Sequence, residues 1–409
     1  MAQNPEDLAP LWRIPWTTEH GEARARELFH HTFGAAPTTF QSAPGRVTLI
    51  GDHTDYAGGL CLTTVLDHQT FVAARARDDA RVRVVSAQGG LVEGPDHVWE
   101  GDLTALTHAN GLGWARHVVG VLWALMERGF ASRGMDIAID SCVPIGAGLG
   151  SSASLQCAVA LAVNDCWELL LDSPEGRSEL AEAAIDAETR FVQVPTGGLD
   201  HYSIMQCERG QAVLLDFATR PPVLTQLPLY FPEYGLCLLV IDTSERRDLR
   251  DAHYAKRRAS CEAAARQLGA PSLRDVFESP QWLRRVNQLR DPVVRARARH
   301  VVTELHRVRL ITDELAGTGP AHERFVNAGK AMYRSHASLD VDFKVSTDAL
   351  NLAVDSAFRV GALGARLVGA GFGGSAIALV RRTQVETTAR LINAAFADRT
   401  LARPAFLTV

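Results

Sequence analysis

Apolar positions along the 409-residue chain follow two periods, and the switches between them lay out strands and helices in mixed order. Residues 44–51 and 69–76 are rich in Val, Leu, Ile, Thr and Phe and read as strands. In 82–86, Val82 and Val84 alternate with Arg83, which predicts a third. Val118, Val121, Leu122 and Leu125 form one stripe of a helix over 113–128. Alternating Ile137, Ile139 and Val143 predict a strand over 135–143, which runs into a glycine-rich turn and a helix over 151–171. Ser173-Pro174-Glu175 is a start signal for a helix over about 174–192. Residues 211–216 and 236–241 read as strands, and a charged helical stretch from 248 to about 315 is interrupted at Pro271 and Pro292. The last part predicts helix (346–360), strand (365–368), glycine-rich turn, strand (375–380) and helix (383–397).

These elements lack strict βαβ alternation, which predicts α+β layers rather than a doubly wound sheet. The length exceeds what one core ordinarily fills, so two domains are expected, 1–210 and 211–409. The sequence is 46% hydrophobic and 22% charged with a formal net charge of −5, ordinary for a globular protein. A mildly acidic chain is a poor generic partner for nucleic acid or an anionic membrane, and neither is expected. The arginines between 283 and 300 fall at helical spacing, as on a solvated face. Seven cysteines, without a C-x-x-C pair, argue against a disulfide framework or zinc knuckle. Residues 1–16 lack a basic-then-apolar signal design, and no apolar run is long enough to span a bilayer, so a cytoplasmic protein is expected.

Two clusters carry candidate chemistry. Gly146, Gly148 and Gly150 sit between a predicted strand and a predicted helix that opens at Ser151, Ser152 and Ala153. Glycines let the backbone approach a ligand, while unpaired N–H groups and the helix dipole favour a polyphosphate there. A plain glycine turn before a capped helix is the competing reading. The spacing is neither G-x-x-x-x-G-K-S/T nor G-x-G-x-x-G followed by an acidic residue, so a P-loop or dinucleotide fold is disfavoured. The second cluster is Arg46 with Asp52, His53 and Asp55 at the end of a strand. Carboxylates, imidazole and guanidinium suit the hydroxyls of a sugar. Asp52 and Asp55 could instead cap a turn, and a metal site lacks a second His/Cys cluster to support it.

Residues 144–154, Pro-Ile-Gly-Ala-Gly-Leu-Gly-Ser-Ser-Ala-Ser, resemble the ATP loop of the superfamily of galactokinase, homoserine kinase, mevalonate kinase and phosphomevalonate kinase, the GHMP kinases. Residues 43–59 resemble the galactokinase signature G-R-V-N-L-I-G-E-H-T-D-Y-N-G-G. Residues 187–201 are similar to the family's A-E-x-x-(Y/F)-x-G-x-P-x-G-I-M-D-Q, residues 114–121 to its W-x-x-Y-V-x-G-V helix, and 369–374 to G-A-G-F-G-G. The resemblance implies a ribosomal-S5-like N-terminal domain, a ferredoxin-like C-terminal domain, and ATP with Mg2+. It implies that Gly146, Gly148, Leu149, Gly150, Ser151, Ser152 and Ala153 bind ATP. Asp200 and Arg46 would be catalytic; Asp52, His53, Asp55, Gly197 and Tyr254 would bind the sugar; Ser152 and Glu188 would ligate the metal. Phosphorylation of the anomeric hydroxyl of D-galactose is the implied reaction, by a monomer or weak homodimer. Asp52, Thr63 and His201 stand where the family has Glu, Pro and Gln. They motivate alternatives: a kinase for L-arabinose, galacturonate or N-acetylgalactosamine. A silent sugar sensor is the competitor from another class.

Overall fold

The computed structural model describes residues 9–89, 98–106, 112–245 and 252–409. The chain enters through strand β1 (Leu11–Trp12) and helix α1 (Thr18–Phe33), which Thr17 caps by accepting from the His20 N–H. Strands β2 (Thr39–Ile50), β3 (Leu60–Ala76), β4 (Arg81–Ser86) and β5 (Val98–Asp102) follow. Next come α2 (Arg116–Glu127), β6 (Met135–Ser141), α3 (Ser151–Trp167), α4 (Pro174–Asp186) and α5 (Leu199–Gln206). Strands β7 (Gln211–Asp216), β8 (Val223–Pro228) and β9 (Leu236–Asp242) lead into α6 (Ala252–Gln267), α7 (Leu273–Glu278) and α8 (Trp282–Asn287). The chain closes with α9 (Pro292–Ala316), α10 (Ala321–Ser338), α11 (Asp348–Arg359), β10 (Gly364–Leu367), β11 (Ser375–Arg381), α12 (Val385–Asp398) and β12 (Ala405–Thr408).

Two sheets result. One runs β5-β4-β6-β3-β7-β8 with β2 beside β3; the other runs β1-β12-β9-β11-β10. The long β3 serves three partners, pairing with β2 along its length, with β6 over Thr70–Ala76 and with β7 over Leu60–Thr64. This bears out the α+β expectation. Residues 211–228 extend the first sheet: β7 pairs with β3 over Leu60–Thr64 and satisfies its backbone groups there, and β8 pairs with β7. Residues 11–12 belong with the second sheet, where they pair in parallel with Ala405 and Phe406. The sheets change over between Pro228 and Leu236.

The helix over 151–171 ends earlier, at Trp167, where Glu168 turns left-handed. The helix over 174–192 gives way after Asp186 to a π-turn, Ala187–Phe191. The stretch from 248 begins outside the described residues, and its described part divides into four helices, α6 to α9. The largest apolar cluster joins Leu49, Ile50, Leu60 and Leu62 of the first sheet to Val240, Ile241, Val301 and Phe343 of the second half. The two halves therefore share one continuous core.

Candidate active site

The register of β2 against β3 breaks between Pro44 and Arg46, next to a proline that has no N–H to give the ladder. The break aims Arg46 inward, and its Nε and Nη2 donate to Asp200 Oδ1 and Oδ2 at 2.7 and 2.5 Å. Its Nη1 donates to the Gly148 carbonyl at 2.7 Å. One guanidinium thus bridges the glycine loop and the carboxylate that a separate helix supplies. The Arg46 side chain is 5% exposed and that of Asp200 26%, so the carboxylate is the part of the pair that reaches solvent. Such a bidentate pair fixes geometry as well as charge.

The glycine loop is built for close approach. Gly146, Gly148 and Gly150 all have φ near +77°, a left-handed path that side chains rarely follow. Gly150 caps α3 and offers no side-chain acceptor to the first helical N–H groups. Ser151 and Ser152 are half-buried at that end. The loop is held from the second half by Ser375, whose hydroxyl donates to the Ala147 carbonyl at 2.7 Å. The Ser154 hydroxyl ties α3 to the first sheet by donating to Ala43 O, with Thr70 Oγ1 also in hydrogen-bond contact with it, both at 2.8 Å.

Glu188 lies in the π-turn, 7% exposed, and Ser152 Oγ donates to its Oε1 at 3.3 Å. Wide π-turns shift the helical phase by one residue and often mark functional positions. Two hard oxygen donors at the mouth of the loop fit Mg2+, which uses one or two carboxylates plus phosphate oxygens. Among the described residues no group of three or more His, Cys, Asp or Glu side chains could cage a metal by itself. His201 is fully buried behind Glu188, with Nε2 3.4 Å from Glu188 Oε2. Burial holds His201 down at about 4, so its ring is neutral at pH 7. The substitution at 201 therefore leaves the pocket rim alone and acts from behind the carboxylate. Thr63 is likewise interior, donating to Ser203 Oγ at 2.8 Å.

The residues expected to meet the sugar divide into two groups. Asp55 and Tyr254 are half-buried. Burial pushes Asp55 up to about 6, the Tyr56 N–H opposes it, and the charges of Asp200 and Asp52 add to it. Asp52 and His53 turn inward. Asp52 is 2% exposed, with Oδ2 2.7 Å from Arg366 Nη2 and Oδ1 3.0 Å from the Gly369 N–H. His53, at φ 67°, lies with Nδ1 3.2 Å from the Tyr56 hydroxyl and Nε2 3.1 Å from the Ala370 carbonyl. The shorter Asp52 is committed to the glycine loop 369–374, and Arg366 was not anticipated. Its signal was a lone arginine among apolar positions immediately before that loop.

Gly197 abuts Asp55: a Cβ there would lie 2.0 Å from Asp55 Oδ2. Alanine at 197 must push the Asp55 carboxylate out of place. If Asp55 holds the sugar, G197A raises the sugar KM about 10-fold or more, as loss of a charged hydrogen bond would, with a smaller change in kcat. Steady-state kinetics on the purified variant check this, and an unchanged KM would remove Asp55 from the sugar site.

Comparison with known proteins places this geometry. A galactokinase galactose-binding signature matches residues 27–76, the GHMP kinases N-terminal domain 116–207, and the GHMP kinases C-terminal domain 319–398. The galactokinase of Streptomyces coelicolor is 39% identical over 92% of this chain and 94% of its own. That of Exiguobacterium sibiricum is 34% identical over 88% and 89%. The structure of Lactococcus lactis galactokinase complexed with galactose superposes with a TM-score of 0.84 at 27% identity, covering 94% of this chain and 97% of that one. The mevalonate kinase of Methanococcus jannaschii, at 18% identity and a TM-score of 0.63, shares the fold. With the signature regions and the curated relatives in agreement over nearly the whole length, the chain belongs to the galactokinase family of GHMP kinases.

Proposed function

We propose that the protein transfers the γ-phosphoryl group of ATP to the anomeric hydroxyl of D-galactose. The observation that carries this reading is the Arg46 fork, which joins Asp200 to the glycine loop and so brings acceptor and phosphate sites within one side chain's reach. The loop N–H groups and the start of α3 cradle the phosphates. Asp200 orients the anomeric hydroxyl and takes its proton, while Arg46 offsets charge on the moving group. Asp55 and Tyr254 supply sugar contacts. Ser152 and Glu188 would hold Mg2+, which when bound neutralises phosphate charge.

A sugar panel tests the reading, with ADP release as the readout. D-galactose is expected to give the highest kcat/KM. L-arabinose, which matches galactose but lacks C6, is the informative comparison. A site that hydrogen-bonds the missing hydroxyl through a buried carboxylate would reject it by roughly 10⁴-fold, whereas loss of packing alone costs about 10–200-fold. Because Asp52 is committed to Arg366 and Gly369, the smaller penalty is expected. Better turnover of another sugar would displace galactose, and absence of ADP release on every sugar would favour a sensor.

A further inference from the structure

Two histidines stand at positions where the family motifs carry other residues: His117 in place of tyrosine and His201 in place of glutamine. The fold connects both to one side chain. Gln156, on α3, is fully buried; its Oε1 lies 2.7 Å from His201 Nε2 and its Nε2 lies 3.5 Å from His117 Nδ1. His201 Nε2 is also 3.4 Å from Glu188 Oε2. The ring nitrogen thus faces two acceptors, which places the proton on Nε2, while Nδ1 is buried without a partner. The bond to Gln156 is the hydrogen bond that fixes this proton, and Glu188 Oε2 lies beside the same nitrogen at 3.4 Å as a close polar contact.

The two Glu188 oxygens therefore have different surroundings. Oε1 receives the Ser152 hydroxyl at the mouth of the phosphate loop, and Oε2 lies 3.4 Å from His201 Nε2. Gln156 and Ser152 lie on the same helix, and His201 is the neighbour of Asp200 on α5. A single buried relay consequently touches the helices that carry the phosphate loop and Asp200, and the π-turn that carries Glu188.

We propose that His201 is a positioning residue for the magnesium carboxylate: its Nε2–H, anchored by Gln156, holds Glu188 Oε2 inward so that Oε1 faces Ser152 and the nucleotide. This rests on reading Glu188 and Ser152 as magnesium ligands. Residues that orient a metal ligand typically contribute 10–100-fold in metal affinity.

The test uses H201L, which keeps the volume and removes the donor, and H201Q, which keeps a donor. Mg2+ is titrated by calorimetry into each protein with a non-hydrolysable ATP analogue. H201L is expected to bind Mg2+ about 10–100-fold more weakly, while H201Q stays within about 3-fold of the parent. The sugar dissociation constant should not move in either. In an E188A background H201L should add nothing, because the group it positions is gone. If H201L fails to fold, Q156M carries the same measurement, since it removes the anchor and leaves the histidine. A folded variant with parental Mg2+ affinity, or an equal loss in the E188A background, overturns the inference alone. Parental protein whose nucleotide affinity ignores Mg2+ overturns the ligand assignment and the inference with it.

Discussion

Alanine at position 200 lowers kcat by at least about 10³-fold, within the range that a positioned proton acceptor supplies, while the sugar dissociation constant changes by less than about 10-fold. The asymmetry follows from the geometry. Asp200 sits in the first turn of α5, and its carboxylate is the exposed half of an otherwise buried pair. On the proposed reading its loss removes the group beside the reacting hydroxyl and leaves Asp55 and Tyr254 in place. Asn at 200 is the sharper probe, because it preserves volume and can still accept one Arg46 hydrogen bond. Single-turnover kinetics with calorimetry of sugar binding separate the two effects. Turnover of D200N above a tenth of the parent would end the assignment of Asp200 to the chemical step.

The second large effect belongs to Arg46. Lysine there keeps the charge but cannot reproduce three directed bonds, two to Asp200 and one to Gly148 O. R46K is expected to lose about 10²–10³-fold in kcat, the scale of one removed transition-state donor. R46A should lose more, and should also be less stable by about 3 kcal/mol, because the Gly148 carbonyl and the Asp200 carboxylate are left without their shared donor. Denaturant unfolding monitors the stability, and steady-state kinetics the turnover. A lysine variant with nearly full activity would show that charge alone suffices and that the fork is incidental.

How much of this was legible in the sequence differs from residue to residue. The phosphate loop, Arg46 and Asp200 could be read because their motifs are nearly contiguous, and the strand and helix around the loop followed from periodicity. The helix carrying Asp200 was not anticipated: Leu199–Gln206 is short, and Gly197-Gly198 before it reads as a turn. The partners of Asp52 were hidden for a different reason: its carboxylate pairs with Arg366, 314 positions away, and pairing across that separation leaves no local pattern. The same holds for β7, whose partner β3 lies about 150 residues earlier and whose own alternation says nothing of which half it joins. The π-turn at Glu188 was invisible because its five residues continue the apolar pattern of the preceding helix.

The bonds from Ser375 to Ala147 and from Gly369 to Asp52 tie the late glycine loop to both early motifs. Neither half can then be treated as a transplantable module. Grafting a foreign C-terminal half onto this N-terminal half would sever both clasps and expose the shared apolar seam, so any hybrid would have to keep the 366–375 region together with the two early motifs it fastens.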